Sequence, residues 1–258
     1  MNSLRNIIAL ADKELRAYFA SPIAYIIIGL FALLFGWFFY MFLTVFIRQS
    51  EQMMQFGGGG GANINQQMIR GVLQNAAVII LFVMPMITMR TYSEEKRSGT
   101  IELLLTSPVT DFQIIMGKFL GAMALYAAML LVTVVYMGIL FVYGNPEWRP
   151  VVAGYLGLLL MGGCFIAVGL LISSLTKNQI VAGFLTFAVF LMLWVINWIG
   201  DSSGPRTQAI VSYLSITEHF DDFARGVIDT KHLVYYLSFI TFGLFLTAKS
   251  VDSERWRG

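Results

Sequence analysis

The chain has 258 residues, of which 57% are hydrophobic and 12% charged, with a net charge of +2 and one cysteine, Cys164. Soluble domains carry roughly 25% charged residues, and so few charges cannot cover this much apolar surface in water. The composition describes an all-α polytopic membrane protein and excludes a disordered chain, a disulfide-stapled secreted scaffold and a strongly basic nucleic-acid binder.

Residues Met1–Ala20 carry Arg5, Asp12, Lys13, Glu14 and Arg16 and lack the long apolar centre of a cleaved signal peptide. Leu4, Ile7, Ile8, Leu15, Tyr18 and Phe19 recur at helical spacing, which predicts an amphipathic helix lying in the membrane interface. Six runs free of Asp, Glu, Lys and Arg follow: Pro22–Ile47, Val72–Met89, Phe119–Tyr143, Val151–Thr176, Ile180–Ile199 and Leu233–Ala248. A hydrocarbon core of ~30 Å takes about 20 apolar residues to cross, and the second and sixth runs are short for it. With the N-terminus in the cytoplasm, the inner segments hold 11 lysines and arginines and the outer segments 6. That asymmetry favours both termini inside.

The first outer segment contains Gly57–Gly61, five glycines in a row. No Gly-Lys-Ser/Thr follows to cradle a phosphate, so the run reads as a flexible linker. Arg90–Lys118 joins crossings two and three on the inner side and opens with the mixed-charge cluster Ser93–Arg97. Ile101 and Leu103–Leu105 then predict a short amphipathic helix under the membrane, ended by Ser107-Pro108. Asp111 is placed to cap a helix running through Lys118 into the bilayer. The outer segment Gly200–His232 predicts an interfacial or re-entrant helix pair serving as a structural lid.

The chemistry of an enzyme is missing. His219 and His232 lie 13 residues apart without a Cys pair or a His-Glu-x-x-His array, and Asp221 and Asp222 beside them read as solvated side chains. No nucleophile arrangement appears, so no catalytic, cofactor or metal residue is assigned. No crossing holds an ionisable group of the kind ion-driven carriers keep at mid-membrane. Asn197, beside Trp198, reads as a helix-to-helix hydrogen-bonding residue. Glycines at small-xxx-small spacing, Gly117 and Gly121 among them, let helices approach closely within or between chains. Any energy for transport therefore comes from another polypeptide.

Three blocks carry a family resemblance: ADKELRAYFASPIAY entering crossing one, EEKRSGTIELLLTSPV running on into DFQIIMGKFLGA, and ITEHFDDFARGVIDTKHLVYYLSF entering crossing six. Together they resemble the permease subunit of a type-2 ATP-binding-cassette exporter, nearest the gliding-motility and copper-enzyme-maturation branch. The resemblance implies six crossings per subunit, two subunits per transporter, and separate cytoplasmic ATPases that bind ATP and Mg. It places the ATPase-coupling helix on Ser93, Glu94, Glu95, Lys96, Arg97, Gly99, Thr100, Ile101 and Glu102. The interfacial helix, with Lys13, Glu14 and Arg16, becomes a second ATPase contact. Homodimer or heterodimer, the cargo, and an accessory outer protein stay open, as does the role of the glycine run, which is not a family feature. The alternatives are a non-transporting scaffold of an envelope or motility complex and a stand-alone carrier.

Overall fold

The structure, a computed structural model, describes residues 3–55, 64–105, 109–201 and 213–255. The Gly57–Gly61 run, Ser107-Pro108 and the side chain of Asn197 lie outside the described residues. Every regular element among those described is helical. In chain order they are α1 (Ser3–Ala20), α2 (Pro22–Gln55), a π-helical turn (Asn65–Ile69), α3 (Arg70–Thr88), α4 (Ser93–Ser98), α5 (Thr100–Leu105), α6 (Asp111–Tyr143), α7 (Trp148–Leu175), α8 (Gln179–Asp201), α9 (Ile216–Ala224) and α10 (Thr230–Arg255).

Six stretches are long and apolar enough to cross a membrane: Pro22–Met53, Gln67–Ser98, Asp111–Tyr143, Trp148–Leu175, Gln179–Ile196 and Thr230–Ser253. Those of α3 and α7 are the most enclosed, and α2, α6, α8 and α10 surround them. Lipid offers helices no hydrophobic reason to associate, so close packing and hydrogen bonds must hold them. Glycines of α7 provide the room. A Cβ on Gly162 would sit 2.1 Å from the Tyr126 ring, and one on Gly154 2.4 Å from Leu73. Tyr126, fully buried on α6, donates its hydroxyl to the Leu158 carbonyl of α7 at 2.7 Å. Tyr136 of α6 reaches the Ala32 carbonyl of α2 at 3.2 Å, over Gly36.

The bundle has two polar ends. At one, Ser174 of α7 donates to Ser250 of α10 at 2.9 Å, and Tyr18 of α1 donates to the Ile87 carbonyl at 3.1 Å. The described ends of the chain therefore share one end of the bundle, together with α4. Between α3 and α6 the sequence predicts one short helix, and the structure has two. Gly99 adopts φ 74°, a left-handed conformation that stops α4 before α5 begins.

At the other end, α9 is an amphipathic helix capped by Ser215, whose hydroxyl accepts from Glu218 N–H. Phe220 and Phe223 press onto α7 at Gly157. Asp221 receives Arg70 and Gln74 of α3, each at 2.7 Å, and Arg225 of its own helix at 2.6 Å. The histidines and Asp222 are packed, which corrects the solvated reading. The apolar face of α9 turns His219 against α10, where His232 lies, so that both histidines are buried with their Nδ1 atoms 2.5 Å apart. His232 Nε2 meets Asp222 at 2.7 Å, His219 Nε2 donates to the Tyr213 carbonyl at 2.9 Å, and Tyr235 stacks on the His219 ring.

Two measurements test these contacts. Gly162→Val forces Tyr126 off its carbonyl and should cost about 1–3 kcal/mol, read as a lower thermal midpoint in detergent. Gly29→Ala, where a Cβ meets nothing within 4 Å, should leave the midpoint unchanged. The second concerns pH. Only one proton fits between the two Nδ1 atoms. Burial, and then the His232 and Lys231 charges, hold the His219 pKa below the ordinary 6.5, although the Tyr213 hydrogen bond and the Glu218 charge pull it upward. The unfolded chain thus takes a proton that the folded chain refuses, and stability falls as pH drops below 6.5 toward the lowered value. The thermal midpoint should decline on acidification through that window, and His219→Gln should flatten the decline.

Candidate functional site

The end shared by both termini holds most of the residues to which the resemblance assigns ATPase coupling. They divide by the helical period. On α4, Glu94 and Arg97 are exposed, whereas Ser93 and Lys96 are buried. Ser93 donates its hydroxyl to the Met89 carbonyl, and the backbone N–H groups of Tyr92 and Ser93 both reach Ser173 Oγ at 3.0 Å. Lys96 donates to the Ser174 carbonyl at the C-terminus of α7, where a helix end favours a cation. Glu94 is held by Arg90 at 3.1 Å. Beyond Gly99, Thr100 and Glu102 are exposed and Ile101 is buried.

Helix α1 splits the same way. Lys13 and Arg16 are exposed, Arg16 bonded to Asp12 at 2.9 Å, and Glu14 is half-buried. Helix α1 lies directly on α6 because Gly117 and Gly121 leave no side chain in the way. A Cβ at Gly117 would stand 2.5 Å from Leu10, and one at Gly121 2.7 Å from Glu14. The small-xxx-small pair therefore serves a contact within the chain. At the start of α6, Thr110 and Gln113 form a capping box, and Gln113 donates onward to Ser3 at 3.1 Å and accepts from Asn6 at 3.3 Å.

Between these elements lies a residue that the sequence reading passed over. Lys118 is 2% exposed, and its ammonium contacts Glu14 of α1 at 3.0 Å, the Thr91 carbonyl at 3.0 Å and Glu95 of α4 at 2.8 Å. A lysine has three N–H donors, and all three are used. The Tyr92 ring stands 5.0 Å from the same nitrogen. A signal for this was present in the sequence, since a lysine flanked by two close-packing glycines at a membrane boundary has a helix pressed against it. Ser173 and Ser174, which hold α4 from the α7 side, gave no such signal.

A cavity of about 250 Å³ opens beside the cluster, between α1, the first turns of α2 and the ends of α3 and α4. Lys13, Glu14, Arg90, Glu94 and Glu95 line it with Tyr18, whose hydroxyl burial keeps protonated by pushing its pKa up. The result is a mixed-charge concave surface framed by two short helices. Its lining sets the cations of Lys13 and Arg90 beside the carboxylates of Glu14, Glu94 and Glu95.

Comparison with known proteins gives the family. The sequence pattern of the ABC-2 family transporter protein matches residues 60–217, more than half of the chain. The probable multidrug ABC transporter permease YbhR of Escherichia coli, in strain K12 and in O157:H7, is 32% identical over 154 residues. The match covers 58% of this chain and 41% of the relatives, so it spans less than half of their length. On the family pattern and the six apolar helices together, the chain belongs to the ABC-2 family of membrane-spanning transporter proteins.

Proposed function

We infer that this chain is the permease subunit of an ATP-binding-cassette exporter, and that a separate cytoplasmic ATPase docks on the end of the bundle carrying α1 and α4. The observation that carries this reading is the pairing of the family match with two charged helices held side by side at that end. ATP and Mg bind the partner, and this chain supplies the path and the docking surface. Two copies complete the transporter in the bacterial inner membrane, with both termini in the cytoplasm. The resemblance carried by the three motif blocks supports a position nearest the gliding-motility and copper-enzyme-maturation branch.

Docking falls on the outward set Lys13, Arg16, Glu94, Arg97, Gly99, Thr100 and Glu102, and the inward set Glu14, Ser93, Glu95, Lys96 and Ile101 fixes the pose of those helices. A partner shifts a conformational equilibrium only through contacts that differ between states. ATP-driven closure of the ATPases supplies that difference, and the docked helices pass it on as rigid-body motion. The cargo is apolar or amphipathic. A groove between α3 and α8 lined by Phe82, Met86, Met89, Phe184 and Phe187 supports this, as does the multidrug description of the relatives.

The test is co-purification of the tagged chain from native membranes in mild detergent. Wild type should bring down an ATPase and its hydrolytic activity. The charge reversal Glu94→Arg with Arg97→Glu leaves the Lys118 contacts alone and should weaken that recruitment by about tenfold or more. A wild-type eluate without ATPase, or a reversal that recruits it undiminished, would count against the docking assignment.

A further inference from the structure

We propose that Lys118 is the positioning residue that yokes α1 and α4 to α6, so that an ATPase pushing on either short helix moves α6 as a lever across the membrane. The proposal rests on the docking reading above and deepens it by naming the element that receives the motion.

The argument starts from desolvation. The Lys118 ammonium is almost wholly out of water and is held by two carboxylates and the Thr91 carbonyl, so removing either carboxylate leaves its buried charge poorly compensated. Separating α1 from α6, or α4 from α6, exposes that cost at once, so the three elements move together more readily than apart. Gln113 ties α1 to α6, while Ser173 and Lys96 tie α4 to α7. Among the described residues, Lys118 touches α1, the turn at Thr91 and α4 at once.

Helix α6 is suited to the role. It runs unbroken for 33 residues, begins in a capping box and contains no proline. From Lys118 to Tyr143 it extends roughly 38 Å at 1.5 Å per residue, more than the ~30 Å hydrocarbon core. Tyr126 and Tyr136 bond it to α7 and α2 along the way. Displacement at Lys118 is thereby delivered to the far end of the bundle and to two neighbouring helices.

The experiment places spin labels at the exposed positions Ala9 on α1, Ser98 on α4 and Phe112 on α6, in pairs, with the full chain in lipid nanodiscs. Wild type should give narrow separations that stay fixed when the ATPase is added and trapped with ATP and vanadate. Lys118→Met should broaden the Ala9–Ser98 and Ser98–Phe112 distances in the chain alone. In the complex it should lower permease-stimulated hydrolysis at saturating ATP several-fold, with ATPase affinity retained. The triple variant Glu14→Gln, Glu95→Gln, Lys118→Met removes the stranded charges. It should recover thermal stability while its distances stay broad and its stimulated hydrolysis stays low, an outcome that a merely structural lysine would not give. Narrow distances in Lys118→Met, wild-type separations that change on trapping, or a triple variant that regains stimulation with stability would each overturn the yoke. Failure of the wild-type chain to recruit an ATPase would sink the docking reading instead, and the distances in the chain alone would still decide for or against the yoke.

Discussion

A lysine ammonium taken out of water needs three acceptors, and no single helix supplies them. At Lys118 that requirement organises one end of the molecule. Two acceptors are carboxylates from α1 and α4, and the third is the Thr91 carbonyl in the turn after α3. For Glu14 to arrive, α1 must lie within backbone contact of α6, and Gly117 and Gly121 permit it. For Glu95 to arrive, α4 must be short and set at a fixed angle, and Gly99 ends it in a left-handed turn. The lysine, the three glycines and the two acids thus form one constraint, and altering any of them releases the others.

The membrane-embedded part obeys a different rule. Its helices gain nothing from hiding apolar faces from one another in lipid, so they rely on fit and on the few polar atoms available. Three tyrosines show how this is done. Tyr126, Tyr136 and Tyr236 each carry a hydroxyl from one helix to a backbone carbonyl of another element, at Leu158, Ala32 and Ile216. Each bond spans two elements without placing a charge in the hydrocarbon. Charge is confined to the two ends, where Asp221 with its arginines and the histidine pair close one, and Lys118 closes the other.

Much of this was legible in the sequence because a bilayer imposes a length and a composition on whatever crosses it. The six apolar runs, the amphipathic first helix and the restart at Asp111 follow from that, although the residue that caps α6 is Thr110, not Asp111 as the sequence suggests, because the Thr110 hydroxyl reaches Gln113 N–H. The pairing of distant side chains was not legible. Nothing local says that Glu14 meets a residue 104 positions away, or that His219 and His232 share a hydrogen bond. Asp221 and Asp222 read as solvated because a sequence shows polarity without showing which face of α9 is turned inward. The break at Gly99 was visible as a glycine, but its positive φ is a property of the fold.

The charge cluster between α3 and α6 shows how one run of residues takes two roles. Ser93–Arg97 occupies barely more than one helical turn, so its members point in every direction around the axis. Serine and lysine at 93 and 96, three apart, fall on the face against α7, and glutamate and arginine at 94 and 97, three apart, fall on the open face. Glu95 lies between the two and turns to Lys118. A longer helix would have needed a full apolar stripe to be held in place. A single turn needs only Ser173, the Ser174 carbonyl and one buried ammonium, which leaves its remaining charges to the proposed partner. The mixed signs follow from the same arithmetic: the inward lysine meets a helix C-terminus, the inward glutamate meets a lysine, and the outward pair keeps one of each.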